Sequence, residues 1–397
     1  MIKSILKKIL LFALLLALIL IVGGIGGVLF DRFLIPKIAS MPRFAGNQIL
    51  KKVNERVTVI NKTEQVVIRE DDSVEKIISQ PATSVVNIVT VFPSPKTDSP
   101  TKETTTSVAG TEVVETTTGV LLTNDGLIVT YANVSPENPG ARYSILLFDG
   151  KSYSARFIGY DTLTNLAFFH LNDTVNTPAI ALANSDDART GKRLIAIGNT
   201  FAEYQNRLSV GILGNINRTF NLAGKTVSSS EKWEGVFEMD LLGAKSFVGG
   251  PVIGFNGEMV GLVGMLTIDN KETPFLIPAN VVRESSTRAL SGTLANRTVL
   301  GVYYLPITKA FALGQGIKRD RGALIYSPSG LTSLAVLADT PGMRAGLQAG
   351  DIISAVNGKE VNLDNPLPEL LSVFNKGDRI ELLVLRKGVE QEIQVQL

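Results

Sequence analysis

The sequence predicts a mostly β protein, and three observations carry the prediction. From residue 85 to 282, short apolar runs alternate with turn signals, as in VVNIVTVF, GVLLTNDGLIVTY, YSILLFDGKSYSARFIGY, RLIAIGN and GPVIGFNGEMVGLVGM. Hairpin residues sit between such runs at Asn124-Asp125-Gly126, Phe148-Asp149-Gly150 and Asn256-Gly257, where glycine supplies the positive φ of a tight turn. The spacing of the runs suits a sandwich or barrel, not βαβ units.

Ahead of the strands lies an N-terminal transmembrane helix. Ile9 to Phe30 is 22 residues without a charge, and a helix of that length spans roughly 33 Å, enough for the hydrocarbon core. The apolar region of a cleaved signal peptide is usually shorter, about 7–15 residues, with a small-residue cleavage site after it. Here Asp31-Arg32-Phe33 follows directly, so residues 1–30 are expected to be a retained anchor inserted through residues 9–30. Lys3, Lys7 and Lys8 precede the span, but Arg32, Lys37 and Arg43 lie beyond it, so the charge asymmetry is modest. The very short leading tail places the N-terminus in the cytoplasm and the bulk of the single-pass chain outside, in a periplasm or at a cell surface. Gly23 and Gly27 form a GxxxG pair, which lets two membrane helices approach closely.

Residues 31–80 read as a juxtamembrane stalk, with β-like RVTVI and QVVI and then DDSVEKIISQ, where Asp72 and Glu75 have capping-box spacing before a short helix. A domain is expected over 81–295. Within it, residues 94–117 are rich in Ser, Thr, Pro and Lys and read as an internal loop. A second domain is expected over 298–397, about the size of one small unit. It opens on the strand-like VLGVYYLPI, contains the amphipathic NPLPELLSVFN, and closes with a hairpin turning at Lys387-Gly388.

Composition narrows the chemistry. The chain has 397 residues, with 39 Lys+Arg against 37 Asp+Glu; that balance leaves no basic stripe for nucleic acid. There is no cysteine, which excludes disulfides, thiolate metal sites and cysteine nucleophiles. A single histidine, His170, excludes a multi-histidine metal site. Acidic pairs show no telling spacing, so neither cofactor nor metal is expected.

Five stretches then fall in a familiar order: SVVNIVT, GNTF, GGPVIGFNGEMVGL, LIPANVV and AGLQAGDIISAVNGKEV. Over roughly residues 80–397 the chain resembles the HtrA/Deg family, whose members join a chymotrypsin-like double β-barrel to a PDZ domain. The resemblance implies serine endopeptidase chemistry in protein quality control, and trimers formed through the protease domain. That chemistry needs a Ser-His-Asp triad and backbone N–H groups for the oxyanion. The segment matching the family's histidine reads Thr130-Tyr131-Ala132-Asn133-Val134, and the segment matching its aspartate reads Asn165-Leu166-Ala167-Phe168-Phe169. The segment matching its serine reads Ser246-Phe247-Val248-Gly249-Gly250-Pro251. The triad positions are therefore Asn133, Asn165 and Val248, which hold no base, no acid and no nucleophile. The resemblance implies the fold and these residues argue against the activity, so a pseudoprotease is expected. An active endopeptidase would require a misread register or a nucleophile moved to Ser246 beside Lys245. His170 is expected to be hydrogen-bonded in place at a strand end, and Asp240 and Trp233 to be structural.

The PDZ domain is the remaining functional surface. Such domains take a C-terminal peptide as an added strand, with backbone N–H groups holding its carboxylate. By resemblance the binding loop is Val299-Leu300-Gly301-Val302, with Gly301 allowing close approach of the carboxylate. The groove helix is Leu367–Phe374, presenting Leu367, Leu370, Leu371 and Phe374. The expected partners are protein C-terminal peptides or unfolded proteins, and further copies or active relatives in a homo- or hetero-oligomer. A scaffold without a peptide ligand is the remaining alternative.

Overall fold

Six strands close the first barrel. In order they are β1 (Val85–Phe92), β2 (Val113–Leu121), β3 (Leu127–Tyr131), β4 (Arg142–Leu146), β5 (Ser152–Asp161) and β6 (Leu166–Leu171), joined as β1-β2-β3-β6-β5-β4. Neighbouring side chains on a strand point to opposite faces. Val86, Ile88, Ile128, Ala167 and Phe169 fill the barrel, while Val85, Val129, Leu166 and Phe168 turn outward. The outward set is also buried, which is why these strands read as unbroken apolar runs. The computed structural model describes residues 74–93, 113–132, 137–173, 177–199, 206–225, 227–327, 329 and 334–397, together with the helical Gly23, Gly26 and Gly27.

The second barrel repeats the plan with β7 (Arg193–Gly198), β8 (Arg207–Asn221), β10 (Glu234–Met239), β11 (Pro251–Ile253), β12 (Met259–Ile268) and β13 (Lys271–Pro278). A two-residue strand, β9 (Ser228–Ser229), leaves it between β8 and β10. Leu194, Ala196, Leu213, Val252 and Val263 fill this barrel, and Ile195, Ile197, Val236, Leu262 and Phe275 face the first. The two outward sets merge into one core, in which Tyr131 meets Phe275 edge-on at 5.6 Å between centroids. After α1 (Val74–Ile78), the helix α2 (Ala279–Leu290) packs Val281, Val282 and Ala289 on the same core.

The third part is built from β14 (Tyr303–Pro306), α3 (Lys309–Gln315), β15 (Ala323–Ile325), α4 (Pro341–Arg344), β16 (Ile352–Val356), β17 (Lys359–Glu360), α5 (Leu367–Ser372), β18 (Arg379–Arg386) and β19 (Val389–Gln396). Its sheet runs β19-β18-β16-β15-β14-β9, with β17 on β16. The last strand is thus contributed by the second barrel. A buried ion pair secures the junction: the Arg297 guanidinium donates to both oxygens of Asp161 at 3.0 and 2.5 Å, and Ser285 Oγ donates to Asp161 at 2.7 Å.

The turns fall where glycine predicts them. Gly126 N–H closes on Thr123 O at 3.1 Å and Gly150 N–H on Leu147 O at 2.9 Å, while Lys387 and Gly388 both take positive φ, 50° and 84°. Two expectations need correction. The loop expected over 94–117 ends earlier, because β2 starts at Val113 and pairs Val113–Thr117 with Phe92–Ile88 of β1; the Thr-rich run is β-branched and suits a strand. The groove helix stops at Ser372, so Phe374 follows it rather than sitting on it. The expected anchor 9–30, apart from its three helical glycines, and the stalk strands RVTVI and QVVI lie outside the described residues. Among the described residues no helix is long and apolar enough to cross a membrane.

Candidate functional site

The segments expected to match the family's histidine and aspartate lie side by side, with Tyr131 opposite Leu166. Asn133 itself lies outside the described residues, but Ala132 donates its N–H to Asn165 O at 3.0 Å. Asn165 sits just before β6 with φ 59°, a left-handed conformation that asparagine tolerates better than most residues. Its side chain is buried among polar neighbours. Oδ1 accepts from Tyr160 Oη at 3.0 Å and from Lys232 Nζ at 2.6 Å, while Nδ2 reaches Tyr131 Oη at 3.4 Å. Lys232 also donates to Thr162 O at 2.7 Å. Burial lowers the Lys232 ammonium below the usual lysine range, against the opposing charge of Asp161. Burial pushes the Tyr131 phenol up to about 12, so it holds its proton. The position expected from the sequence to match a triad aspartate is a neutral amide held by an ammonium and two phenols.

The loop at the serine position is a 3-10 turn over Ala244–Phe247, entered at Gly243 (φ 66°) and left at Val248. The Val248 side chain packs against the core shared by the barrels and against the interior of the second. One oxyanion donor in a triad protease is the N–H two residues before the nucleophile. Here that is Ser246 N–H, and it is spent inside the turn on Gly243 O at 3.0 Å. The glycines after Val248 are held by packing. A Cβ on Gly249, φ 81°, would lie 2.2 Å from Thr118 O, and one on Gly250 would lie 2.1 Å from Ile197 O. Lys245 is paired with Glu272 at 3.1 Å on the surface. His170 lies at the far end of β6 from Asn165, half-buried, with Nδ1 2.7 Å from Leu171 O. Trp233 is buried in the shared core with its indole donating to Gly235 O at 2.8 Å, and Asp240 is exposed. Among the described residues no cluster of His, Asp or Glu could hold a metal ion.

The PDZ loop is already engaged. Leu300 and Gly301 donate their N–H groups to Glu231 Oε1 at 3.1 and 2.7 Å, and Val302 N–H donates to Ser230 Oγ at 3.1 Å. Behind them β9 pairs antiparallel with β14, Ser229 opposite Tyr303 and Ser228 opposite Tyr304. Gly301 also has a packing role. Its φ is 79°, and a Cβ there would lie 2.3 Å from Thr340 Cβ, so the glycine makes room for Thr340. Of the expected groove residues, Leu300, Val302, Leu367, Leu370 and Leu371 are buried in the PDZ core, with Phe374 packed partly buried against it. Val299 is exposed and faces a cleft of about 630 Å³ with Glu231, Pro368 and Leu371. Between β14 and α5, beside Tyr304 and Leu367, lies a small cavity of about 10 Å³. Glu234 fills that side, hydrogen-bonded to the Tyr304 hydroxyl. The residues that sequence reasoning missed are Ser228–Glu231, a polar stretch with neither periodicity nor motif.

Comparison with known proteins agrees with this architecture. The family description "trypsin-like peptidase domain" fits residues 117–262, and "PDZ domain" fits residues 312–397. A "probable periplasmic serine endoprotease DegP-like" of Bartonella henselae is 28% identical over 282 residues, 70% of this chain and 52% of that protein. The "serine protease Do-like HtrA" of Bacillus subtilis is 30% identical over 259 residues, 64% of this chain and 56% of that protein. The chain thus spans about half the length of the curated relatives it matches. Among solved structures, the HtrA-type protease AlgW with a tripeptide superposes with a TM-score of 0.60 at 23% identity, covering 81% of this chain and 95% of that one. The same protease with a decapeptide gives 0.59 at 22% identity, covering 81% and 96%. With two barrels, a PDZ domain after them, and these likenesses along their length, the chain is similar to HtrA-type proteases in sequence and fold.

Proposed function

We propose that this chain is an HtrA-type pseudoprotease: a peptide-binding protein whose barrels have kept the family's fold without its proton relay. The observation that carries this reading is the loop at the serine position. Val248 offers no nucleophilic atom, and Ser246 N–H is bonded within its own turn at 3.0 Å. Loss of a triad member alone costs orders of magnitude in rate. The amide at Asn165 adds to the same reading. PDZ domains take C-terminal peptides or exposed chain ends, and such ligands, or active relatives assembled with it, are the proposed partners in extracytoplasmic protein quality control. The domain bounds 81–295 and 298–397 belong to this proposal, as do the anchor 9–30, the trimer and the groove residues. The periplasmic label on the relatives supports the extracytoplasmic placement.

A second reading has its own support. The relatives are named as serine endoproteases, and family likeness by itself favours an active enzyme over an inactive one. It would need a nucleophile other than Val248, and Ser246 is the nearest hydroxyl in sequence. One assay separates the two. The full chain in detergent is given an unfolded protein substrate and a serine-reactive fluorophosphonate probe. No turnover and no labelling are expected; turnover abolished by Ser246→Ala would establish the protease.

A further inference from the structure

We infer that Ser228–Glu231 is the resident ligand of the PDZ groove, an internal stand-in for a C-terminal peptide. The inference rests on the reading that this groove takes peptides ending in a carboxylate. Such a ligand does two things: it adds a strand to the sheet edge, and it delivers a carboxylate to backbone N–H groups in the loop before that edge. Both roles are filled from within the chain. β9 supplies the strand, pairing Ser228 and Ser229 with Tyr304 and Tyr303. Its direction carries the acid toward the loop, where Glu231 Oε1 accepts from Leu300 and Gly301 at 3.1 and 2.7 Å. The carboxylate belongs to a side chain, so the backbone can pass on into β10.

The mimic is held ready. Ser230 Oγ lies 2.6 Å from Glu231 Oε1, and Ser229 Oγ lies 3.0 Å from Oε2. Asn221, at the end of β8, fixes the strand from behind, its Nδ2 donating to Ser229 O at 3.1 Å. Charge-assisted hydrogen bonds to backbone N–H groups are among the stronger ones, and a tethered ligand acts at a high effective concentration. The loop N–H groups can serve one carboxylate at a time, so an outside peptide enters only when β9 has left. Its apparent affinity is reduced by the fraction of molecules in which the groove is free. A peptide ending in a free carboxylate is therefore a competitor for this site, and release of the strand is its condition for binding.

The test compares the full chain with Glu231→Ala, and with Glu231→Gln as a variant of unchanged shape. Glu392→Ala, on the opposite end of the PDZ sheet, is the charge control. Two readouts are taken: hydrogen exchange across Thr298–Tyr304, and binding of a fluorescent decapeptide pool with randomised ends, in free-carboxylate and amidated forms. In Glu231→Ala, exchange at Leu300 and Gly301 should rise at least about tenfold, and the free-carboxylate pool should bind about tenfold tighter than to the parent. The amidated pool should gain nothing, Glu231→Gln should move the same way by less, and Glu392→Ala should match the parent. Unchanged exchange, or equal affinity of the free-carboxylate pool for parent and variant, overturns the resident ligand. A pool that binds neither protein while exchange rises leaves the resident ligand standing and overturns the peptide-binding reading instead.

Discussion

At the scale of single residues, two buried polar groups distinguish this chain. Asn165 is a neutral side chain at the position where the sequence comparison expects an acid, and its oxygen accepts from the Lys232 ammonium at 2.6 Å. Glu234 is the other. Burial raises its carboxyl from the ordinary value to about 8, so between about pH 4.5 and 8 the folded chain holds a proton that the unfolded chain has released. Stability from this group is complete below about pH 4.5 and is lost as pH rises through 8. Burial raises Glu369 as well, with the same sign. The melting temperature should therefore fall between pH 5 and pH 8, and Glu234→Gln should flatten the fall; a parent profile that rises over this interval would contradict the assignment.

At the scale of elements, the loop before β11 shows a structural need for the Gly249-Gly250-Pro251 turn. Gly249 and Gly250 pass against the backbone of Thr118 and Ile197, so the glycine pair is required where the loop runs close to β2 and β7. Gly249→Ala should cost roughly 2–4 kcal/mol in urea denaturation, since it adds both a strained φ and a clash with backbone. Gly243→Ala, at φ 66° with open space around it, should cost only about 1 kcal/mol. The same constraint gives Gly-Gly-Pro a signature that can be recognised without any catalytic residue beside it. Strands and hairpins were legible for a similar reason, because alternation and turn glycines are local signals. β9 was not. Two serines carry no alternation, and their partners lie far along the chain, with Glu231 and Leu300 separated by 69 positions. The acceptor of that contact is a side chain, but its donors are backbone N–H groups, which nearly every residue carries and no sequence pattern marks. The collapse of Ser246 N–H onto Gly243 was hidden in the same way.

At the scale of the whole chain, the barrels and the PDZ domain are joined by more than a linker. The Arg288 guanidinium donates to Ser372 O, and Arg218 pairs with Asp364 across the junction. Arg297, at the start of the crossing, is buried against Asp161 and also reaches Glu284 at 2.9 Å. Arg297→Ala leaves the Asp161 carboxylate buried without its partner, which costs about 3–5 kcal/mol. That loss should appear in denaturation as a lower midpoint of one shared transition, and a midpoint within error of the parent would show that the pair does not hold the junction.

The PDZ sheet ends in a strand that the PDZ sequence does not contain. This sets a limit on the domain as a portable part. A fragment starting after Arg297 keeps β14 through β19 but loses Ser228–Ser229, and Tyr303–Pro306 becomes a bare sheet edge. Unpaired N–H and C=O groups on such an edge are a template for a second chain. Grafted into another protein, the fragment would carry an open seam, and its natural cover would have to be supplied with it as an added segment from the barrel.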